Sequence, residues 1–444
     1  RWIMNKNRVV KNASWIIGIQ IVKSLLGLVI SMLTARFLGP SNFGLINYAA
    51  SIVAFVTPIM YLGLNGVLVQ EIVNTPEKEG EILGTSVTMT FLSSLLCVIG
   101  VISFAAAVNR GERETVIVCA LYSTLLIFQS LELLNYWFQA KLLSKYASGV
   151  ALFAYAVISG YKIYLLAAHK SIYWFALSNA LDYMIIVIGL FIVYKRLGGG
   201  RLRFNLSTAR RLWGKSRYYI VSNMMIAIFA QTDRIMLKLM INDAATGYYS
   251  AAVACAGMTG FVFAAIIDSF RPLIFDDKKT DEIRYEKDMC RLYGIIIYLS
   301  LLQSLVITLF SGLIIKILYG AAYSASINAL KLIVWYTTFS YLGSVRNIWI
   351  LAENKQKYLW IINLSGALAN VALNYILIPI TGIMGAALAS LVTQIFTNVI
   401  IGFIIRPIRY SNTLMLRALN PKEMTKAIKA LIKRGMAENE NNVG

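Results

Sequence analysis

The sequence predicts an all-α polytopic membrane protein with twelve transmembrane helices in two duplicated six-helix lobes. Three observations predict this fold class: an apolar composition, twelve long apolar stretches and a repeat between the two halves of the chain. Of the 444 residues, 58% are hydrophobic and only 14% are charged, whereas a soluble domain is about 25% charged. The chain therefore has too few charges to cover a water-facing surface, which excludes soluble enzymes, disordered chains and disulfide-stapled secreted domains.

A membrane-spanning helix requires about 20 mostly apolar residues, and twelve stretches of the chain meet this requirement. They cover residues 13–37, 43–70, 83–108, 115–140, 147–168, 171–195, 216–241, 246–271, 289–318, 323–351, 357–379 and 382–406. The longest predicted connections are residues 195–217 and 272–288, so no loop is long enough to fold as an independent domain. In the second span, Pro58, Gly63 and Gly66 are candidate kinks.

Lys and Arg are distributed unevenly between the two sets of loops. If the N-terminus is cytoplasmic, 31 of the 42 basic residues fall on the cytoplasmic side and five on the opposite side. Cytoplasmic loops of membrane proteins carry an excess of Lys and Arg, so we expect both termini to be cytoplasmic. The net charge of +21 then reflects orientation and contact with anionic membrane lipids, and we expect no nucleic-acid binding.

The predicted organisation has four parts. An N-terminal lobe covers residues 1–195, a cytoplasmic linker covers 196–215, a C-terminal lobe covers 216–406 and a cytoplasmic tail covers 407–444. Apolar and basic residues after Asn420 alternate with the period of a helix, which predicts an amphipathic helix in the tail. We expect this helix to lie on the anionic inner leaflet.

The two halves of the chain share a short repeat. The turn after the first span reads RFLGPSNFGLINYAAS (36–51), and the turn after the seventh reads LMINDAATGYYSAAVA (239–254). At an offset of 203 residues, Gly44 aligns with Gly247. Because each half has six spans, both halves have the same orientation, and such parallel repeats enclose a substrate site that works by alternating access.

Cysteine and histidine residues are too few and too scattered for several chemistries. The four Cys are isolated, and the single His, His169, lies at a turn. The sequence shows no metal-ligand spacing, catalytic triad or nucleotide-binding loop. We therefore expect no enzyme activity, no cofactor and no metal, and we expect an ion gradient or the substrate's own gradient to supply energy for transport.

Three motifs spread over nearly the whole chain resemble one known family. They read TARFLGPSNFGLINYAAS at 34–51, QTDRIMLKLMINDAATGYYSAA at 231–252 and ALNYILIPITGIMGAALAS at 372–390. Together they resemble the polysaccharide-exporter branch of the MOP superfamily, which also contains the multidrug-extrusion (MATE) transporters and the lipid II flippase. The resemblance implies a V-shaped, MATE-like fold and a Wzx-type flippase of lipid-linked oligosaccharides, such as O-antigen units on undecaprenyl diphosphate.

The same resemblance implies a location and a set of partners. We expect a multi-pass protein of the bacterial cytoplasmic (inner) membrane that acts in lipopolysaccharide and polysaccharide biosynthesis. Its partners would be the lipid-linked oligosaccharide, membrane lipids, a polysaccharide polymerase and chain-length proteins, and we expect the protein itself to be a monomer.

Charged residues inside the predicted spans are the candidate substrate site. A charge at mid-membrane costs at least about 2.5–3.5 kcal/mol, so it normally faces a polar interior or a partner. Lys23 lies near the middle of its span, and we expect it to line a water-filled cavity or to pair with Asp182. A cationic cavity would suit a diphosphate headgroup. The proposed cavity residues are Lys23, Arg36, Arg234, Arg271 and Lys331.

Other charges in the spans have simpler explanations. Lys162 and Lys238 lie close enough to the outer ends of their spans to reach the surface. Asp268 and Arg346 lie so near the inner boundary that we expect them to behave as loop residues.

A cation site is the second hypothesis for these charges. The resemblance to the lipid II flippase suggests sodium coupling through carboxylate and amide groups, with a proton as the other candidate ion. Oxygen ligands at matched depth suit a hard cation, and the candidates are Asp233, Asn370, Asn374, Ser390 and Thr393. The alternative for Asp233 is a structural ion pair, with Lys238 as a partner.

Two other functions remain open at this stage. An ion-coupled multidrug exporter of the MATE type would favour an acidic cavity for cationic drugs, whereas the predicted spans hold six basic and four acidic residues. A membrane-bound polysaccharide polymerase or ligase would need a sizeable outer loop for its acceptor, whereas all predicted outer loops are short.

Overall fold

A computed structural model describes residues 2–420, with the side chains of residues 2–17 and 19–21 excepted. Within this range the secondary structure is entirely helical. The α-helices are α1 (Trp2–Met60), α2 (Leu68–Asn74), α3 (Glu79–Val108), α4 (Arg113–Ser123), α5 (Leu125–Leu131), α6 (Asn135–Ala140), α7 (Ser144–Ala167), α8 (Ile172–Arg196), α9 (Leu206–Met240), α10 (Asp243–Gly257), α11 (Gly260–Thr280), α12 (Glu282–Leu318), α13 (Ser326–Ala352), α14 (Leu359–Thr381), α15 (Ile383–Ile395), α16 (Ile401–Ile404) and α17 (Arg409–Arg417). The predicted tail helix lies outside the described residues.

The all-α membrane fold is confirmed, but the count of twelve spans is not. In the described part of the chain, nine helical stretches are long and apolar enough to cross a membrane, and α10 and α11 together form a tenth that bends by 45°. One difference is that α13 does not meet the hydropathy requirement for a span, although it is a helix of 27 residues. Another is that the second predicted span, residues 43–70, is helical only to Met60 in α1, where the non-helical backbone of Gly39 separates it from the first span.

Several helices are interrupted by irregular backbone, one of them where the sequence predicts a kink. Helix α1 is kinked at Gly39, whose φ of 73° lies in the left-handed region that favours glycine. The predicted kink near Gly63 is confirmed, because this residue has a φ of 69° and separates α1 from a short 3₁₀ segment, Leu64–Gly66. A second 3₁₀ segment, Glu132–Leu134, interrupts the span between α5 and α6. A π-helical segment, Phe396–Ile400, connects α15 to α16.

Helix α9 begins earlier than the sequence predicts. It starts at Leu206 rather than at residue 216, because Asn205 caps it by accepting a hydrogen bond from the backbone N–H of Ser207 at 2.9 Å. The second half of the predicted linker 196–215 is therefore helical. The basic residues in this half did not end the helix, since Arg and Lys are good helix formers.

The chain divides into two compact units. The first contains Arg1–Ala251, Leu318–Tyr323 and Ile378–Ile383, and the second contains Ala252–Ile317, Ser324–Leu377 and Met384–Gly444. These units are groups of residues in close contact, whereas the predicted lobes, residues 1–195 and 216–406, are duplicated halves of the sequence. The division into lobes therefore stays a prediction.

Buried apolar side chains hold each unit together. In the first unit, one cluster packs α1 against α3, α4, α5 and α8, and another joins α2, α3, α6, α7, α8 and α9. In the second unit, a single large cluster joins α11, α12, α13, α14, α16 and α17. Short α17 belongs to this core, because Leu414 and Met415 are buried in it.

Candidate functional site

The repeated glycines of the two halves meet in the first unit. A Cβ atom on Gly44 would overlap the carbonyl oxygen of Asp243 and would lie 2.7 Å from the backbone nitrogen of Gly247. A Cβ atom on Gly247 would overlap the carbonyl oxygen of Pro40 and would lie 3.1 Å from the nitrogen of Gly44. The contact is reciprocal, as expected for duplicated segments related by a pseudo-twofold axis. We call it the glycine contact.

Aromatic side chains surround the glycine contact. The ring of Tyr323 lies 6.2 Å from that of Phe43, 6.0 Å from that of Tyr248 and 5.3 Å from that of Tyr319. The hydroxyl of Tyr323 also donates a hydrogen bond of 2.8 Å to the backbone carbonyl of Ala35. Segment Leu318–Tyr323 therefore contacts α1 on both sides of the Gly39 kink, at Ala35 before it and at Phe43 after it.

An ion triad lies beside the glycine contact at the C-terminal end of α9. The Lys238 ammonium is 2.6 Å from a carboxylate oxygen of Glu112 and 2.8 Å from one of Asp243. The Lys238 side chain is only 4% exposed, so the expectation that it reaches the surface is wrong. The carboxylates of Glu112 and Asp243, whose side chains are 50% and 23% exposed, compensate the charge of the buried ammonium, and we call these three residues the Lys238 triad.

The N-terminal end of α9 carries another set of ion pairs. Glu71, which is buried in the middle of α2, accepts a hydrogen bond from Lys215 at 2.5 Å and lies 3.2 Å from Arg211. Ion pairs therefore link both ends of α9 to elements of residues 1–195, one through Glu71 and the other through Glu112.

Four partly buried charged side chains of the first unit interact electrostatically. They come from four different elements: Lys23 from α1, Glu132 from the 3₁₀ segment, Lys162 from α7 and Asp182 from α8. Lys23 interacts electrostatically with both carboxylates, and Asp182 also interacts with Lys162. No ion pair among the described residues joins Lys23 to Asp182, so the predicted pairing stays a prediction. We call these four residues the Lys23 cluster.

The Lys23 cluster differs from a set of salt bridges. None of the ion pairs among the described residues joins two of its four members. Lys162 donates to the Asn179 side-chain oxygen at 3.2 Å, and the Lys23 ammonium lies 5.6 Å from the centre of the Tyr155 ring. The neutral side chains of Asn179 and Tyr155 therefore contact the two lysines of the cluster.

The other predicted cavity residues do not share one environment. Arg36 and Lys331 are exposed, and Arg271 forms an ion pair of 3.0 Å with Asp268. Arg234 donates hydrogen bonds to the side chains of Ser250 and Gln231. Of the cavity list, only Lys23 belongs to the Lys23 cluster, and binding of substrate by any of the five residues stays a prediction.

The predicted cation ligands are buried. Tyr249 donates a hydrogen bond to the Asp233 carboxylate in the first unit. In the second unit, the Asn374 side chain donates to the side-chain oxygen of Asn370 at 3.1 Å. Ser390 and Thr393 lie one turn apart on α15, and both are buried. A coupling role for these five residues stays a prediction.

Arg346 is not the loop-like residue that the sequence indicates. It is 3% exposed, in the core of the second unit, and its guanidinium donates to the backbone carbonyl of Thr397 and to the Asn398 side chain. Both acceptors belong to the π-helical segment, and a π turn leaves carbonyl groups without their usual helical donors. Arg346 therefore stabilises an irregular stretch of helix.

Sequence patterns missed Glu112, Asp243 and Arg346, and they did not place Glu132 in a site. The repeat at an offset of 203 residues did mark Gly44 and Gly247, although it did not show that the two glycines touch. Among residues 2–420, no group of three or more His, Cys, Asp or Glu side chains could hold a metal ion.

The family model described as polysaccharide biosynthesis protein matches residues 9–277. The chain belongs to the polysaccharide biosynthesis protein family. A Shigella flexneri protein named "Putative O-antigen transporter" is 23% identical over 399 residues, which cover 86% of this chain and 94% of that protein. The family resemblance predicted from the three motifs is thereby confirmed.

Solved structures support the fold. The lipid II flippase MurJ in an inward closed conformation aligns with a TM-score of 0.67 and 15% identity over 90% of each chain. An inward-facing multidrug resistance MATE family transporter of the MOP superfamily aligns with a TM-score of 0.62 and 13% identity, covering 88% of this chain and 95% of that one. At these identities the likeness shows the fold alone. All the proteins named here are transporters or flippases, which agrees with the expectation that the chain is not an enzyme.

Proposed function

We propose that this protein is a flippase. It moves undecaprenyl-diphosphate-linked oligosaccharide repeat units, such as O-antigen units, from the inner to the outer leaflet of the bacterial cytoplasmic membrane. The observation that carries the proposal is the family match over residues 9–277, because charges and spans alone indicate only a transporter. The O-antigen transporter named among the relatives supports the same class of substrate.

The geometry of the first unit supports alternating access as the mechanism. In the predicted topology, with both termini cytoplasmic, the glycine contact and the Lys238 triad lie on the outer side of the membrane. The glycine contact joins corresponding turns of the two duplicated halves, so it closes that side as long as it persists. Movement of one half against the other would open it and release the headgroup outward, while the isoprenoid tail stays in lipid.

The substrate headgroup carries two phosphates, so it requires positive charge inside the membrane. Lys23 is the member of the predicted cavity list that lies deepest in its helix, and a lysine ammonium is a suitable point charge for a diphosphate. In the proposed cycle, Arg36, Arg234, Arg271 and Lys331 supply further positive charge along the path.

An ion gradient would drive the cycle. Asp233, Asn370, Asn374, Ser390 and Thr393 are the proposed sodium ligands, since their oxygen atoms suit a hard cation. If sodium changes the flipping rate of neither the parent nor the Asp233→Asn variant, this part of the proposal is wrong.

The proposal can be tested in vesicles of bacterial phospholipid that contain the purified protein. A fluorescent undecaprenyl-diphosphate-linked oligosaccharide is placed in both leaflets, and its exposure to a membrane-impermeant quencher is followed. We expect protein-dependent exchange between the leaflets, and none in vesicles without protein. Failure of the labelled lipid to exchange, together with uptake of a cationic dye by the same vesicles, would favour the multidrug exporter instead.

A further inference from the structure

We propose that the N-terminal end of α9 binds the headgroups of anionic phospholipids in the inner leaflet, with phosphatidylglycerol as the probe. The site consists of Arg210, Trp213 and Arg217, which we call the α9 face. The inference rests on the predicted orientation of the chain and does not depend on which lipid the protein transports. The excess of basic residues in the sequence predicts only general contact with anionic lipid, whereas the structure separates the residues that face outward from those that the protein itself uses.

The depth of the α9 face is the first argument. Helix α9 has 35 residues, whereas the hydrocarbon core of a membrane takes up about 20 residues of a helix. Residues 218–232 contain no charged side chain, so the core begins just after Arg217. Arg210 lies seven residues earlier, which is about 10 Å along the helix axis. The α9 face therefore lies within about one Debye length of the lipid phosphates.

The spacing of the three side chains is the second argument. Trp213 follows Arg210 by three residues, and Arg217 follows Trp213 by four, which places all three on one side of the helix. All three are exposed. Arg recognises phosphate through paired hydrogen bonds, and Trp is enriched at the boundary between headgroups and acyl chains. The α9 face thus combines the two kinds of side chain with which helices contact an anionic leaflet.

The opposite side of the same turns packs against the protein. Leu212 and Ser216 are buried there, and Arg211 and Lys215 reach the buried carboxylate of Glu71 at 3.2 and 2.5 Å. These two basic residues therefore already have a protein partner.

The guanidinium groups of the α9 face lack such a partner. Residues 195–217 include eight Lys and Arg but no Asp or Glu, so this segment cannot neutralise itself. None of the ion pairs in residues 2–420 includes Arg210 or Arg217. Arg217 instead donates a hydrogen bond of 2.9 Å to the hydroxyl of Tyr218, which is neutral and itself exposed. An external anion therefore supplies the missing countercharge.

Charge complementarity selects an anionic phospholipid as the occupant. Phosphatidylcholine offers the same phosphate, but its positive choline group opposes the arginines. Each Lys or Arg near an anionic leaflet strengthens binding by about fivefold. Bound lipid would hold the inner end of α9 from one side, while Glu71 holds it from the other.

Two double variants of the same helix end test the site. Arg210→Gln with Arg217→Gln removes both charges of the α9 face, whereas Arg211→Gln with Lys215→Gln removes two charges from the opposite side. Each double variant lowers the net charge by two, so general attraction to an anionic surface falls equally in both. Only a site at the α9 face makes them differ.

Native mass spectrometry of the purified full-length protein in detergent measures the affinity for phosphatidylglycerol and, separately, for phosphatidylcholine. We expect the parent to prefer phosphatidylglycerol. This preference should fall by about fivefold for each arginine removed from the α9 face and should stay near the parent value in the other double variant. No preference in the parent, no loss in the α9-face variant, or an equal loss in both variants would overturn the proposal.

Thermal stability in neutral detergent should separate the same variants in the opposite order. The α9-face variant breaks no ion pair of the described residues, so its midpoint should equal that of the parent. The variant of Arg211 and Lys215 leaves the buried Glu71 without its partners, so its midpoint should fall. If that variant does not fold, Lys195→Gln with Arg196→Gln is the second control, since it removes two exposed charges at the end of α8 and should retain the lipid preference.

Undecaprenyl diphosphate is the competing occupant. If it binds the parent more tightly than phosphatidylglycerol, and only the α9-face variant loses this binding, the face is a substrate site and the phospholipid proposal is overturned. The flipping assay in vesicles decides the proposed function separately, because neither Arg210 nor Arg217 belongs to the proposed cavity.

Discussion

The Lys238 triad and the Lys23 cluster are two solutions to the same problem in one compact unit. Each places lysine and carboxylate side chains among apolar helices. In the triad the ammonium lies within 2.8 Å of both carboxylates, whereas in the cluster no described ion pair joins the four charges. A close pair holds two elements in place, while charges held apart can change partners at little cost. The difference shows that burial alone does not decide how a charge is compensated: Lys238 has two direct ion partners, whereas Lys23 has none among the described ion pairs.

The largest predicted effect breaks the triad. Glu112→Gln combined with Asp243→Asn leaves the Lys238 ammonium without a countercharge, and because the Glu112 side chain is 50% exposed, the cost should lie below the about 3–5 kcal/mol of a fully buried pair. We expect a large drop in the thermal midpoint of the protein in detergent and weaker closure at the C-terminal end of α9. Glu114→Gln, which replaces an exposed carboxylate on α4, is the control. A midpoint equal to that of the parent would show that the triad is not needed for stability.

The next effect concerns the glycine contact. Gly44→Ala would force a methyl group against the backbone of Asp243, and overpacking of this kind costs about 1–3 kcal/mol. Gly100→Ala is a matched control, since a Cβ atom there meets nothing within 4 Å. We expect Gly44→Ala to lower the thermal midpoint and to favour opening, which crosslinking of cysteines placed in the two turns can report. Equal crosslinking in both variants would contradict a closing role.

The cluster should respond in the opposite sense, with a small change in stability and a large change in transport. Lys23→Ala removes no direct ion pair, so we expect a protein level near that of the parent. Flipping should fall at least about tenfold, which corresponds to about 1.4 kcal/mol, and Lys23→Arg should restore part of it. Export of surface polysaccharide in a flippase-deficient strain measures both variants. Normal export by Lys23→Ala would end the cavity role.

The smallest effect is a pH dependence at the triad. The hydrogen bond from Lys238, and then that from Thr115, lower the pKa of Glu112. A carboxylate with a lowered pKa stabilises the fold above its unfolded value, about 4.3, and this contribution is lost as the pH falls through the folded value. Because Glu112 is 50% exposed, the effect should be small. The difference in midpoint between the parent and Glu112→Gln should shrink below about pH 4.3, and a constant difference would argue against the bond.

Local sequence patterns predicted most of the fold. Apolar stretches located nearly all of the membrane helices, because hydropathy and length are properties of a single segment. They failed at α9, which the cap at Asn205 starts before the apolar stretch begins. They also failed to anticipate the π-helical segment, whose carbonyl groups depend on Arg346 from another helix.

The contacts within the candidate site were harder to predict from the sequence than the fold. Lys23 could be singled out because its depth within one span is a local property. The partners of Lys238 could not be predicted, since Glu112 precedes Lys238 by 126 residues. Glu112 also lies in a polar loop, where an acidic residue is common and indicates no particular partner. Similarly, the repeat identified two equivalent glycines, but contact between them depends on how distant segments fold together.

The π-helical segment sets the register of the chain that follows it. One extra residue in the turn rotates every later side chain by about 100° relative to a regular α-helix. In this register, the side-chain amide of Asn398 lies close to Gly343. A methyl group added to Gly343 would overlap that amide. A single-residue deletion within Phe396–Ile400 would therefore act at a distance. The deletion would rotate α16 out of its position in the core, and α17, which packs in the same core, would move with it. No residue outside Phe396–Ile400 that contacts Arg346 would be changed.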